Sequence, residues 1–218
     1  MKGLAMTGRW IVVAAALMVT ACSGATSNKV MGVLTGTKLG VSRVANPTFT
    51  ALKQAGAPQK TISVQAQNLA ANFYLWTTST DGVGTWLTGN GATVSIKDGM
   101  IVGTRGFGAD VLAADVSKTA SLVRARREGY AERFMTLLSG NDQAYTVSFQ
   151  CRVSNQGPWD LDLGGGAKKK TVLMQEDCRG YGESPRNLFW VDAKTNQIVQ
   201  SRQWLNTTVG ALITRDAG

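Results

Sequence analysis

From Ile62 onward the apolar residues of this chain recur at every second position, the spacing of strands that bury one face. Ile62, Val64 and Ala66 alternate with Ser63 and Gln65, and Leu69, Ala71, Phe73 and Leu75 carry the same period toward Trp76. Gly82, Gly84, Gly89 and Gly91 cut the following stretch into turns around Thr85-Trp86-Leu87. Between Ala92 and Thr104 two β-rich runs flank Asp98-Gly99, a dipeptide that tolerates the two positive φ angles of a type I′ hairpin turn. Counting outward pairs Lys97 with Met100 and Ile96 with Ile101, which places Val94, Ile96 and Ile101 on one face.

Further along, Ala109–Val116 is apolar and short, and its state stays open. Thr119–Leu138 mixes a partly helical spacing of Leu122, Ala125, Phe134, Leu137 and Leu138 with an interrupting Gly129. A strand over Ala131–Leu138, leading into a turn at Ser139–Asp142, is the favoured reading. Tyr145, Val147, Phe149, Cys151 and Val153 alternate with polar residues, and Val172, Met174 and Cys178 share one parity in the run Thr171–Cys178. Between these strands Asn155–Lys170, with Pro158-Trp159, three consecutive glycines and Lys168-Lys169-Lys170, reads as an exposed loop. Leu188–Leu205 reads as two strands around Asp192–Asn196, where Asn196 suits a left-handed turn position. The pattern predicts a mainly β fold: a single curled antiparallel sheet closing toward a sandwich or barrel, with short helices near the N-terminus. One of these is expected over Thr48–Gln54, ended by Gly56 and Pro58.

The N-terminus follows another logic. Lys2 and Arg9 precede an apolar run, Trp10–Val19, too short to span a bilayer comfortably, and small residues lead to Cys22. Val19-Thr20-Ala21-Cys22 resembles the lipobox of a bacterial lipoprotein signal. That resemblance implies removal of residues 1–21 and an acylated Cys22 anchored in outer-membrane lipid, with Ser23, rather than Asp, favouring the outer membrane. The expected organisation is a signal peptide over 1–21, a small, polar, lipid-anchored tether over 22–46 and a single β domain over 47–218.

Charge and chemistry narrow the function. The 218-residue chain carries a formal net charge of +9, which falls by two when Lys2 and Arg9 leave with the signal. An anionic polysaccharide, lipid headgroups or an acidic protein face suits that balance, and nucleic acid is excluded by compartment. The chain has no histidine, which removes the commonest general base and metal ligand and every Ser-His or Cys-His arrangement. Neither a metal site nor a cofactor is expected. Of its three cysteines, Cys151 and Cys178 point from apolar faces in an oxidising compartment, so a disulfide is the economical reading and two free buried thiols the alternative.

Histidine-free glycoside hydrolases use paired carboxylates, and Asp160 with Asp162, or Glu176 with Asp177, offer such pairs. Solvated loop acids are the default for both. Trp76, Trp86, Trp190 and Trp204 read as core or half-buried sheet residues, whereas Trp159, beside Pro158, can offer a flat face to a sugar ring or partner protein. Arg124, Arg126, Arg127 and Lys168, Lys169, Lys170 form two basic clusters able to contact a glycan or an acidic partner.

Two blocks suggest a family. The stretch from Lys97 to Val116, through Asp98, Gly99, Ile101, Val102, Thr104, Gly106 and Asp110, resembles a block of the YjbF/GfcB family of outer-membrane lipoproteins. NLFWVDAKTNQIVQSRQWL resembles that family's ending through Asn187, Phe189, Trp190, Asp192, Val199, Ser201, Gln203 and Trp204. Met100, Phe107 and Asn196 depart from the pattern, standing for a basic residue, an aliphatic one and glycine. The resemblance implies a curled antiparallel β domain on the periplasmic face of the outer membrane, made with other envelope proteins for capsule or exopolysaccharide secretion, one of them a large outer-membrane β-barrel. It brings no catalytic residues. The primary expectation is a non-enzymatic lipoprotein that docks such a partner. A glycan-modifying enzyme and a carrier with a lipid or glycan enclosed in a β pocket are the alternatives.

Overall fold

The computed structural model describes residues 45–139, 143–164 and 168–217. The expected signal peptide, Cys22 and the tether up to residue 44 lie outside them, as do Gly140–Asp142 of the expected turn. The described chain forms one antiparallel sheet of twelve strands: β1 (Gln59–Val64), β2 (Leu69–Thr78), β3 (Gly84–Thr88), β4 (Thr93–Lys97), β5 (Met100–Arg105), β6 (Val111–Asp115), β7 (Gly129–Leu138), β8 (Ala144–Asp162), β9 (Lys168–Arg179), β10 (Arg186–Asp192), β11 (Ile198–Asn206) and β12 (Gly210–Asp216). Their spatial order is β5-β4-β3-β2-β1-β12-β11-β10-β9-β8-β7-β6. Two meanders therefore meet where β1 pairs with β12, and the free edges are β5 and β6, which are consecutive in the chain.

Those edges are joined by side chains rather than by a regular ladder, so the sheet is nearly closed into a barrel. Thr104 Oγ1 on β5 donates to Asp110 Oδ1 and accepts from Val111 N–H of β6, both at 2.9 Å. Asp110 also accepts from the N–H groups of Gly106 at 2.9 Å and Phe107 at 3.2 Å. An unpaired strand edge invites foreign strands, and these bonds cap it.

Two short helices accompany the sheet. In α1 (Pro47–Gln54), Pro47 occupies the first turn, where its missing N–H costs nothing, and Asn46 Oδ1 caps the N–H groups of Thr48 and Phe49. Asn46 N–H donates to Gly89 O at 2.8 Å, which ties the domain's first described turn to the β3–β4 connection. The second helix, α2 (Ser117–Arg124), lies mid-chain and buries Thr119, Ala120, Leu122 and Val123. The ambiguous stretch from Thr119 thus divides into a helix and, after Gly129, the expected strand. Its mixed period reflects two elements in succession.

The Asp98-Gly99 hairpin has the predicted register, Ile96 opposite Ile101 and Lys97 opposite Met100. Both turn residues adopt positive φ, 51° and 80°. At Gly99 a side chain is excluded twice over, by φ and because a Cβ would lie 2.5 Å from that of Ile198 on β11. Val94, Ile96 and Ile101 enter one core cluster with Phe73, Phe149 and Leu212. A second cluster, beneath α2, joins Leu122 and Val123 to Met100, Val153, Met174 and Phe189. Burying each such large side chain contributes about 1.5–3 kcal/mol.

Two expectations are corrected. Asn155–Lys170 is mostly paired strand, with Asp160 opposite Lys170 and Asp162 opposite Lys168. A bulge between Asn155 and Pro158, with Gly157 at φ 90°, absorbs the proline that suggested a loop. Trp76 is 52% exposed rather than core or half-buried, because the register of β2 shifts between Leu75 and Thr77 and leaves it unpaired.

Candidate functional site

Strand β9 sorts charge onto two faces. Glu176 and Asp177, adjacent in sequence, point to opposite sides of the sheet as the pleat requires. Glu176 faces inward and is fully buried. Its Oε1 accepts from Thr119 Oγ1 of α2 at 2.6 Å, and its Oε2 accepts from Arg133 Nη2 at 2.9 Å and Asn187 Nδ2 at 2.7 Å. This ties α2, β7, β9 and β10 together inside the barrel. Arg133 Nε has no partner among the described residues, a cost the network carries. With Glu176 inside and Asp177 outside, the two acids cannot flank one scissile bond.

The outer face of the same strands holds a groove of about 810 Å³. It is lined by Tyr130 of β7, Gln150 and Arg152 of β8, Asp177 and Arg179 of β9, Arg186 of β10, and Ser184. Tyr130 stands opposite Arg152, Arg152 opposite Asp177, and Asp177 opposite Arg186, a continuous cross-strand row. Arg186 Nε donates to Asp177 Oδ1 at 2.7 Å, and Gln175 Nε2 donates to Asp177 Oδ2 at 2.6 Å. Burial pushes the Asp177 pKa up, but these two hydrogen bonds and the charges of Arg186 and Arg152 outweigh it, and the carboxyl stays below its ordinary range. Beneath the groove floor Cys151 and Cys178, directly opposite each other, form a disulfide.

The basic clusters singled out in the sequence are scattered and partly engaged. Arg124 Nη1 donates to Asp98 at 2.5 Å, Arg126 Nη1 donates to Ala193 O at 3.1 Å, and Arg127 is exposed. Lys169 pairs with Asp192 at 3.1 Å and Lys170 with Asp160 at 2.9 Å, while Lys168 is exposed. Trp159 is 50% exposed on the β8–β9 ribbon, its carbonyl accepting from Thr171 Oγ1. Asp160 is ion-paired with Lys170, and Asp162 accepts from Gly164 N–H; both are exposed.

A smaller cleft of about 300 Å³ opens at one end of the barrel, bordered by Lys60, Trp86, Asp98, Arg124, Ile198 and Asp216 among others. Lys60 is held by Asp216 and lies 4.9 Å from the centre of the Trp86 ring. Its charged groups are already paired with one another. Cys151, Cys178 and Glu176 also place potential metal-ligand atoms within 4.8 Å of one another, yet both sulfurs are consumed in the disulfide and offer no thiolate.

The polar residues of the two sequence blocks serve the framework. Asp110 closes the β5–β6 seam, and Asn187 joins Glu176 to Trp204 N–H, the latter at 2.7 Å. Gln203 accepts from Ile101 N–H and donates to Gly99 O, each at 3.0 Å, fixing the hairpin on β11. Asp192 Oδ1 accepts from the N–H groups of Lys194 at 2.7 Å and Thr195 at 2.9 Å. The Thr195 bond leads in lowering its pKa to about 2, helped by Lys194 and Lys169 and opposed by burial.

Sequence reasoning missed Tyr130, Gln150, Arg152, Arg179 and Arg186. The available signal was parity: with Cys151 and Cys178 facing inward, their immediate neighbours Gln150, Arg152, Asp177 and Arg179 must face outward.

Compared with known proteins, the sequence matches the family described as "Group 4 capsule polysaccharide lipoprotein gfcB, YjbF" over residues 37–215. Among solved structures it is similar to that of the hypothetical lipoprotein YmcC from Escherichia coli (K12), with 18% sequence identity and a TM-score of 0.66 over 79% of this chain and 89% of that chain. At that identity the likeness is one of fold. No curated protein matches the sequence.

Proposed function

Since this chain belongs to the YjbF family of group 4 capsule polysaccharide lipoproteins, we propose that it is a non-enzymatic lipoprotein that assists capsule or exopolysaccharide secretion by docking an envelope partner. In this reading acylated Cys22 anchors it in the outer membrane, with the domain on the periplasmic face, and the partner is an outer-membrane β-barrel or another polysaccharide-export protein. The observation that carries it is the fate of the block residues: Asp110, Asn187, Asp192 and Gln203 all hold turns, seam or core. They build a framework, and the work falls to its outer surface.

The filled interior favours docking over enclosure of a lipid. Phe149, Phe189, Met174 and the Glu176 network occupy the space a carried ligand would need. Arg127, Lys168 and Trp159 remain exposed for partner contact. Anchored through Cys22, the domain meets membrane partners at high effective concentration, and a weak docking surface suffices.

Deleting the gene should remove or sharply reduce surface polysaccharide, and complementation with Cys22→Ser should restore it poorly while the protein accumulates unanchored. Unchanged surface polysaccharide in the deletion strain would overturn the proposal.

A further inference from the structure

We infer that the outer groove across β7–β10 is a binding site for a carboxylate-bearing glycan, a uronate-type acidic sugar chain, held by Arg152, Arg179 and Arg186 with the Tyr130 ring as a stacking surface. The site differs from both basic clusters visible in the sequence.

Charge points to an anion. Three guanidinium groups line the groove against one carboxylate, Asp177, which is already bonded to Arg186 and Gln175. The Arg152 and Arg179 side chains are exposed and make no hydrogen bond or ion pair among the described residues, although Arg152 faces Asp177 across the ladder and its charge acts on that carboxylate. Glu132 stands opposite Gln150 on the same outer face but does not line the groove. A guanidinium fork matches a carboxylate bidentately, and it is less strongly hydrated than an ammonium, so it gives up water more readily.

The rest of the lining points to sugar. Tyr130 is 78% exposed at one end of the row, beside Arg152, and offers a flat apolar face with a hydroxyl at its tip. Gln150 and Ser184 add an amide and a hydroxyl suited to sugar hydroxyls. The concavity, about 810 Å³, falls within the ~300–1,000 Å³ of ligand clefts. A flat bilayer surface does not fill such a recess, which argues against lipid headgroups as the anion source. The disulfide and the buried network beneath hold the floor in place before a ligand arrives.

The inference rests on the proposed secretion role only for the setting in which such a glycan is met; direct binding is measured separately from secretion. Mature lipidated protein in polyoxyethylene-detergent micelles would be titrated calorimetrically with short oligogalacturonates. Neutral dextran fragments, and phosphatidylcholine vesicles doped with phosphatidylglycerol, would run alongside. Wild-type protein should bind the uronate and not dextran, more weakly as salt rises. Arg152→Ala/Arg179→Ala should lower the affinity by about tenfold or more and Tyr130→Ala by roughly threefold, with Lys168→Ala without effect. All these side chains are exposed, so thermal melts should match wild type, and Arg179→Lys, which keeps charge but loses the fork, should fall in between. Absence of uronate binding, equal affinity in the double variant, or an effect of these variants on vesicles alone would overturn the inference. In each of those cases a deletion strain lacking surface polysaccharide would leave the docking role standing.

Discussion

Glu176 and Asp177 are neighbours in sequence with opposite fates, and the contrast between them describes the whole domain. Glu176 is removed from water and bonded to three side chains from three elements, one of them the Arg133 guanidinium. Asp177 meets Arg186 and Gln175 where solvent reaches both partners. Each has an arginine within hydrogen-bond distance, at 2.9 Å inside and 2.7 Å outside. The energetic meaning differs because water screens one pair and not the other. Inside, an uncompensated charge is severely penalised; outside, it is simply hydrated. Interior charges are therefore committed to the fold, whereas Arg152 and Arg179 outside stay available for a ligand.

Four substitutions would break or sharpen this contrast. Arg133→Ala should destabilise the domain by about 3–5 kcal/mol in urea unfolding, because Glu176 is left buried without its counter-charge. Removing the disulfide with Cys151→Ala/Cys178→Ala, which frees residues 27 apart in sequence, should cost about 3.5 kcal/mol by the chain-entropy argument. Asp192→Asn should cost on the order of 1–2 kcal/mol at neutral pH. Its folded pKa of about 2 lies below the ordinary 3.8, so its stabilisation is present above the unfolded value and lost as pH falls through the folded one. Wild type and variant should accordingly converge in stability between pH 4 and 2. Arg186→Ala, which breaks the outer pair, should cost less than about 1 kcal/mol. A loss from Arg186→Ala as large as that from Arg133→Ala would dissolve the distinction between the faces.

Legibility in the sequence followed how local the deciding physics was. The Asp98-Gly99 hairpin was readable to the residue pair because its turn requires positive φ at both positions. Alternation through Cys151 and Cys178 likewise predicted apolar faces that the disulfide now joins. The β8–β9 ribbon looks like a loop in sequence because Gly157, Pro158 and the lysine run are local breakers. What holds it is cross-strand, the ladder from Pro158 opposite Val172 to Asp162 opposite Lys168, with Leu161 buried. Helix α2 was hidden because it spans only eight residues and has no side-chain cap at Val116. Its anchor is Thr119 on Glu176, 57 residues away. The outer arginines are separated in sequence, and only strand pairing, through parity with the cysteines, brings them together.

The most direct test compares the faces in one cellular assay, by measuring surface polysaccharide in strains whose only copy carries Arg152→Ala/Arg179→Ala. Protein level, anchoring and melting temperature should match wild type, with markedly reduced surface polysaccharide. Wild-type polysaccharide in that strain would contradict this, since the outer face would then be as dispensable for function as it is for stability.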